Sequence, residues 1–279
     1  MPPTCWRLPK ISKHAALTSV AAAIRDALLT ADPLAKVRAT REVARRWRRG
    51  ELAFAFDVAM PDRPARPDRP QLLPPNAMPK RGRAQSLRGR VALLHALAHI
   101  EFVAIDLALD MAGRFGGEMD EAFTGDWLAV AADEAMHFAL LARRLAALGN
   151  GYGDLPAHDG LWEAAAATRH DLAARLAIVP MVLEARALDV TPTMIERMRF
   201  AGDEATARIL ERILSDEIRH VRCGTMWFGK VCQRDRSEPA ATWQGLVETY
   251  FRGAIKPPFN DSARQAAGLP REFYAGIAL

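Results

Sequence analysis

Glu101 and Glu134 stand 33 residues apart, and so do Glu184 and Glu217; the second pair lies 83 residues beyond the first. The same offset of 83 relates His137 to His220, Asp133 to Asp216, Ala104 to Ala187 and Asp106 to Asp189. A repeat that keeps both spacing and residue type reads as a duplicated helical hairpin. In each copy a glutamate and a histidine are three residues apart, so on a helix they share one face, about a turn apart, and reach the same point. A further glutamate comes from the partner helix. One hairpin therefore offers two carboxylates and an imidazole, and two hairpins offer four and two, enough to hold a pair of metal ions. Carboxylate oxygen and imidazole nitrogen without thiolate suit iron or manganese rather than structural zinc.

The rest of the chain is punctuated around this repeat. Four long helical patterns run at about 86–114, 120–148, 161–189 and 203–232, with a brief helical insert after Thr191-Pro192. Pro180 should kink the third, because proline removes a backbone donor and crowds the preceding turn. Two short helices are expected between 15 and 50, the second capped by Asp32 with Pro33 at its first position. The stretch PDRPARPDRPQLLPPNAMPKRGRAQS is too rich in proline for helix or central strand. The expected architecture is all-α: an N-terminal helical extension (1–60), a Pro/Arg-rich connector (61–85), a four-helix bundle (86–235) and a C-terminal arm (236–279). For the two hairpins to share one centre, the second and third helices must run parallel. Their connector, 149–160, should then stretch along the outside of the bundle.

Charge is uneven. Residues 1–90 carry 19 Lys+Arg against 7 Asp+Glu, a balance of +12, while 91–279 carry 19 against 26, a balance of −7. The basic region is expected to lie across the acidic bundle of its own chain rather than on nucleic acid. Every apolar stretch is interrupted before the roughly eighteen residues a spanning helix requires, so no membrane partner is expected. The basic start at Arg7, Lys10 and Lys13 precedes helical spacing at Leu17, Val20, Ala21, Ile24 and Leu28, which reads as an amphipathic helix rather than a leader. Cys5, Cys223 and Cys232 form no CxxC pair, which fits a reducing cytoplasm.

The ExxA segments EFVAID and EARALD, followed by DEAMH and DEIRH, resemble the ferritin-like superfamily, and DEIRH is similar to the DExRH signature of bacterial di-iron monooxygenases. More closely, LLHALAHIE, DWLAVAADEAMHF, YGDLPAHDGLWE, VPMVLEARALDVTP, DEIRHV and KPPFN resemble a bacterial ferritin-like family known only as a domain of unknown function. The resemblance covers most of the chain and brings no established reaction. It implies Glu101 and Glu184 as terminal ligands, Glu134 and Glu217 as bridging ligands, and His137 and His220 as terminal imidazoles. Asp133 and Asp216 would then accept from the outer nitrogen of the histidine on the partner helix. Arg219 has no counterpart in the first copy, where Met136 stands.

The expected function is that of a di-iron (or Fe/Mn) oxidoreductase, with the metal centre itself doing the chemistry and with dioxygen, an external reductant and an unidentified small organic molecule as partners. A ferroxidase or metal-handling protein and an RNA-modifying di-iron hydroxylase are the alternatives. His95 and His99 point away from Glu101 on their helix and are read as packing or capping residues. A radical protein of the ribonucleotide-reductase type is disfavoured because Tyr152, Tyr250 and Tyr274 lie outside the four long helices, and a rubrerythrin because no CxxC iron site is present.

Overall fold

Residues 17–79, 82 and 86–278 are described by the structure, a computed structural model. Cys5, the basic residues Arg7, Lys10 and Lys13, and the last part of the Pro/Arg connector lie outside these residues. Helix α1 (Val20–Leu28) starts where Ser19 accepts from the Ala22 amide and turns Val20, Ile24 and Leu28 inward. Leu17, expected on that face, is exposed. Helix α2 (Pro33–Arg48) opens as the sequence predicts, with the Asp32 side chain accepting from the Ala35 amide and Pro33 in the first turn.

From there to residue 86 the described chain is irregular apart from one short turn of helix at Pro75–Ala77. It is nonetheless tied down. Arg114 donates to Pro61 O, Arg66 and Lys36 meet Asp106, Arg63 meets Asp159, and Leu72 and Ala157 form an isolated bridge. Together with the pairing of Arg90 to Asp203, these contacts put several cations of the basic region onto carboxylates of the chain's own acidic part.

Helix α3 (Leu87–Phe115) is the centre of the molecule: every residue from Glu101 to Gly113 is buried. The segment Leu87–Glu118 contains an 18-residue window of mean hydropathy 1.7, but 72% of that window is buried inside the protein, as in a core helix. Helix α4 (Glu121–Ala147) returns antiparallel to it, capped by Asp120 on the Phe123 amide.

The third rod differs from its expectation. Instead of one kinked helix it is α5 (Gly160–Ala167), a break at 168–171, α6 (Leu172–Ile178), a π-helical turn (Val179–Glu184) and α7 (Ala185–Phe200). The break follows from polar chemistry: Thr168 bonds back to the Ala164 carbonyl, and Asp171 caps α6 by accepting from the Ala174 amide. At Pro180 the ladder widens into the π turn. Gly224 on α8 (Glu204–Asp235) makes room for it, since a Cβ there would stand 2.4 Å from Pro180 Cβ. Pro192 does not end the helix. Its ring nitrogen cannot donate to the Leu188 carbonyl, but Asn260 Nδ2 donates to that oxygen at 3.1 Å.

Chain direction follows from contacts at the two ends. Arg175 at the start of the third rod meets Asp110 near the end of α3 at 2.6 Å, while Asp203 at the start of α8 meets Arg90 near the beginning of α3 at 3.3 Å. The α6–α7 rod thus runs against α3 and parallel to α4. The connector climbs along α3, pinned where Gly153 N donates to His95 Nε2 and where His99 meets Tyr152 OH and His158 O. Residues 149–159 are irregular, as expected, but α5 forms the upper half of the crossing. Helices α9 (Pro239–Tyr250), α10 (Asp261–Ala266) and α11 (Arg271–Tyr274) form the C-terminal part. Trp243 of α9 donates to Ala177 O beside α6, and Arg264 of α10 binds Asp189 of α7 through two hydrogen bonds.

Candidate metal centre

Helical spacing puts the repeat residues of all four rods at one level. Glu101 comes from α3, Glu134 and His137 from α4, Glu184 from the last residue of the π turn, and Glu217 and His220 from α8. All but Glu184 are at most 5% exposed; Glu184 is half-buried because it faces a cleft. Ligand-capable atoms of Glu101, Glu134, His137 and Glu217 lie within 4.8 Å of one another. His220 joins through Glu134, with Nδ1 2.9 Å from Oε1, and stands 3.7 Å from Glu217 Oε1. Glu184 lines the same cleft as Glu134 and Glu217.

The histidines are oriented from behind. His137 Nε2 lies 3.1 Å from Asp216 Oδ2 on α8, and His220 Nε2 lies 3.4 Å from Asp133 Oδ2 on α4. A carboxylate only accepts, so each Nε2 carries the proton that it donates, and Nδ1 faces the centre. Arg219 touches both aspartates, at 3.3 Å from Asp133 and closer to Asp216, while Arg212 holds Asp216 at 2.6 Å. Burial works against the charge on Asp216, but the hydrogen bonds from Arg212, Arg219 and His137 outweigh it and hold its pKa at about 2.

Inside the cluster the charges are out of balance. Burial, followed by the charge of Glu134, pushes Glu101 well above the ordinary carboxylate range; burial and Glu217 do the same to Glu184, and burial and Glu134 raise Glu217. Glu134 goes the other way: burial opposes its charge, but His220 and His137 outweigh it. His137 is pushed up to about 11, since the carboxylates of Glu101 and Glu134 at 3.3 and 3.4 Å overcome the burial that would lower it. His220 is likewise raised, against burial, chiefly by the nearby charge of Glu134.

Six buried atoms in the cluster make no well-formed hydrogen bond, close as they stand to one another: both oxygens of Glu134, His137 Nδ1, His220 Nδ1, Glu184 Oε2 and Glu217 Oε2. Buried polar atoms left unpaired are expensive, and those of Glu134, His137 and Glu217 belong to the group whose ligand-capable atoms lie within 4.8 Å of one another, which does not include Glu184. A cation would take the place of the protons that these raised carboxyls and imidazoles otherwise hold, and oxygen with nitrogen donors suits a metal ion. The cluster fits a metal site.

Other residues take different places. His95 and His99 hold the connector, as expected of them, and His158 Nδ1 accepts from the Gly160 amide. Cys223 and Cys232 are free thiols, and burial pushes the Cys223 thiol up. Trp227 packs against Phe123 and donates to Asp126. Tyr152 lies on the connector, outside the four long helices as expected, and its half-buried ring stands 5.0 Å from that of Phe138 and 5.4 Å from that of Phe102. The sequence reading passed over Asp106 and Asp189, whose matching positions were a signal of shared structure. Each is buried against a pair of cations, Lys36 with Arg66 and Arg264 with Arg186.

The chain matches the family described as "Protein of unknown function (DUF455)" over residues 29–275. An uncharacterized protein of Haemophilus influenzae is 44% identical over 209 residues, which span 73% of this chain and 72% of that protein. No solved structure matches.

Proposed function

Since the chain belongs to the DUF455 family, whose description carries no reaction, we propose from the site itself that it is a di-iron (or Fe/Mn) carboxylate oxidoreductase of the ferritin-like kind. In this reading it activates dioxygen to oxidise an organic molecule. The observation that carries the reading is the convergence of Glu101, Glu134, His137 and Glu217 from three helices on one buried point, with His220 against Glu134. The antiparallel pairs α3–α4 and α7–α8, joined by a crossing connector, support the ferritin-like arrangement, which places Glu and Glu-x-x-His residues in this way.

Within this reading Glu134 faces both histidines, at 3.4 Å from His137 Nδ1 and 2.9 Å from His220 Nδ1, and is the shared carboxylate together with Glu217. Asp133 and Asp216 fix the histidine tautomers. Iron held there would supply the electrons that dioxygen requires. The cleft beside Glu184 gives a second molecule access to the same carboxylates, which favours substrate oxidation over iron storage. The test is oxygen uptake by the reduced, metal-loaded protein: it should accelerate with an organic substrate and vanish in Glu134→Ala. Ferrous iron turnover with release of mineral would support the ferroxidase reading instead.

One observation favours a nucleic-acid substrate. Arg38, Arg41, Arg45 and Arg48 form an exposed stripe along α2 at helical spacing. Binding of transfer RNA with a steep salt dependence, lost when these four are changed to Ser, would raise that reading above the small-molecule one.

A further inference from the structure

Beside the cluster, between α3 and α7, lies a cavity of about 160 Å³. Its floor is made of Glu101, Glu134, Glu184 and Glu217. The wall is almost wholly hydrocarbon, chiefly Leu97, Ala104, Leu107, Leu161, Leu183 and Leu210. Of the two other polar residues that line it, Thr191 carries no charge, and the Arg186 guanidinium is held by Asp189 and the carbonyls of Lys256 and Pro258. The small residues Ala104 and Ala187 occupy matching positions in the two halves of the repeat and open the space from either side. Ile100 at the rim is 41% exposed, an apolar side chain at the mouth of an apolar chamber. Val190 and Met194 also line a wider outer cleft of about 510 Å³, so the chamber adjoins a larger space.

Above the carboxylate floor the wall offers a ligand almost nothing to hydrogen-bond, so sugars, amino acids and nucleobases would lose their hydration without replacement. A hydrocarbon loses nothing. An apolar-walled space of about 150 Å³ is large enough for a benzene-sized molecule. We propose that this chamber is the substrate site of the centre and that it takes a neutral hydrocarbon group about the size of a benzene ring or a short branched chain. Any polar remainder of the molecule would lie in the outer cleft. The assignment rests on the oxidoreductase reading only for calling the occupant a substrate; binding of a hydrocarbon stands apart from it.

The experiment is calorimetric titration of the full chain with toluene, with metal content measured on the same sample. One toluene per chain is expected to bind. Ala187→Phe, which fills the chamber, should weaken binding by at least tenfold while leaving metal content unchanged, and Val190→Phe at the mouth should do the same if Ala187→Phe folds poorly. No toluene binding by the parent chain, or equal binding by parent and filled variants, overturns the proposal. Toluene binding in a chain that takes up no metal supports the chamber and overturns the metal reading. Metal uptake without toluene binding overturns the chamber alone.

Discussion

The two hairpins carry the same spacing of functional residues but are built differently. In the first, Glu101 sits on unbroken α-helix, buried on every side, and the Asp106 one turn beyond it is neutralised by Lys36 and Arg66 from the N-terminal part. In the second, Glu184 ends a π turn and is half-buried, and the matching Asp189 is neutralised by Arg264 from the C-terminal part. The chain outside the repeat thus clamps each half from a different terminus. A regular helix gives the first half a fixed wall, whereas the wide turn of the second sets Glu184 at the edge of the cleft. Wide turns of this kind often occur at functional sites.

This difference can be broken by substitution. The largest effect is expected at the shared carboxylate: Glu134→Ala should remove essentially all bound metal, while Glu184→Ala at the open side should leave part of it, as read by elemental analysis after dialysis. The clamps come next. Arg264→Ala leaves Asp189 buried without its bidentate partner, a change that costs about 3–5 kcal/mol. Hydrogen exchange should then rise in α7 and α10 while α3 and α4 stay protected.

Packing under the two ligand helices should be damaged by opposite changes in volume. Gly224 lies beneath the π turn, and the matching residue in the first half is Leu141, fully buried. Gly224→Ala adds a methyl group against Pro180 and should cost about 1–3 kcal/mol; Leu141→Ala opens a cavity and should cost about 2–5 kcal/mol. Denaturant midpoints measure both.

The smallest effect at neutral pH comes from the connector. Burial, assisted by Arg66, lowers His99 to a pKa of about 4, so the folded protein prefers it neutral. Its contribution to stability is complete above the ordinary histidine pKa of about 6.5 and is lost as the pH falls towards 4, with a slope of up to about 1.4 kcal/mol per pH unit. His99→Gln should flatten the dependence of the unfolding midpoint on pH in that window.

The clustering of the repeat residues was legible because helix geometry converts a three-residue spacing into a shared face, and two copies repeat it. The helix cap at Asp32 follows equally local chemistry. The breaks in the third rod were not legible from the apolar period. They depend on partners distant in sequence: Gly224 under Pro180, Asn260 behind Pro192, and Trp243 on Ala177. Tyr152 packs against the core for a similar reason, since His99 receives it from a connector that carries no period of its own. Asp106 and Asp189 could be matched by position, but their cations come from residues 36, 66 and 264, and no spacing rule links these.

The most direct test of the account is elemental analysis of the full chain purified without added metal and after reconstitution with ferrous iron, beside Glu134→Ala. The account predicts two iron or manganese ions per chain in the parent and almost none in the variant. A parent chain that stays free of metal, or a variant that binds as much as the parent, would contradict it.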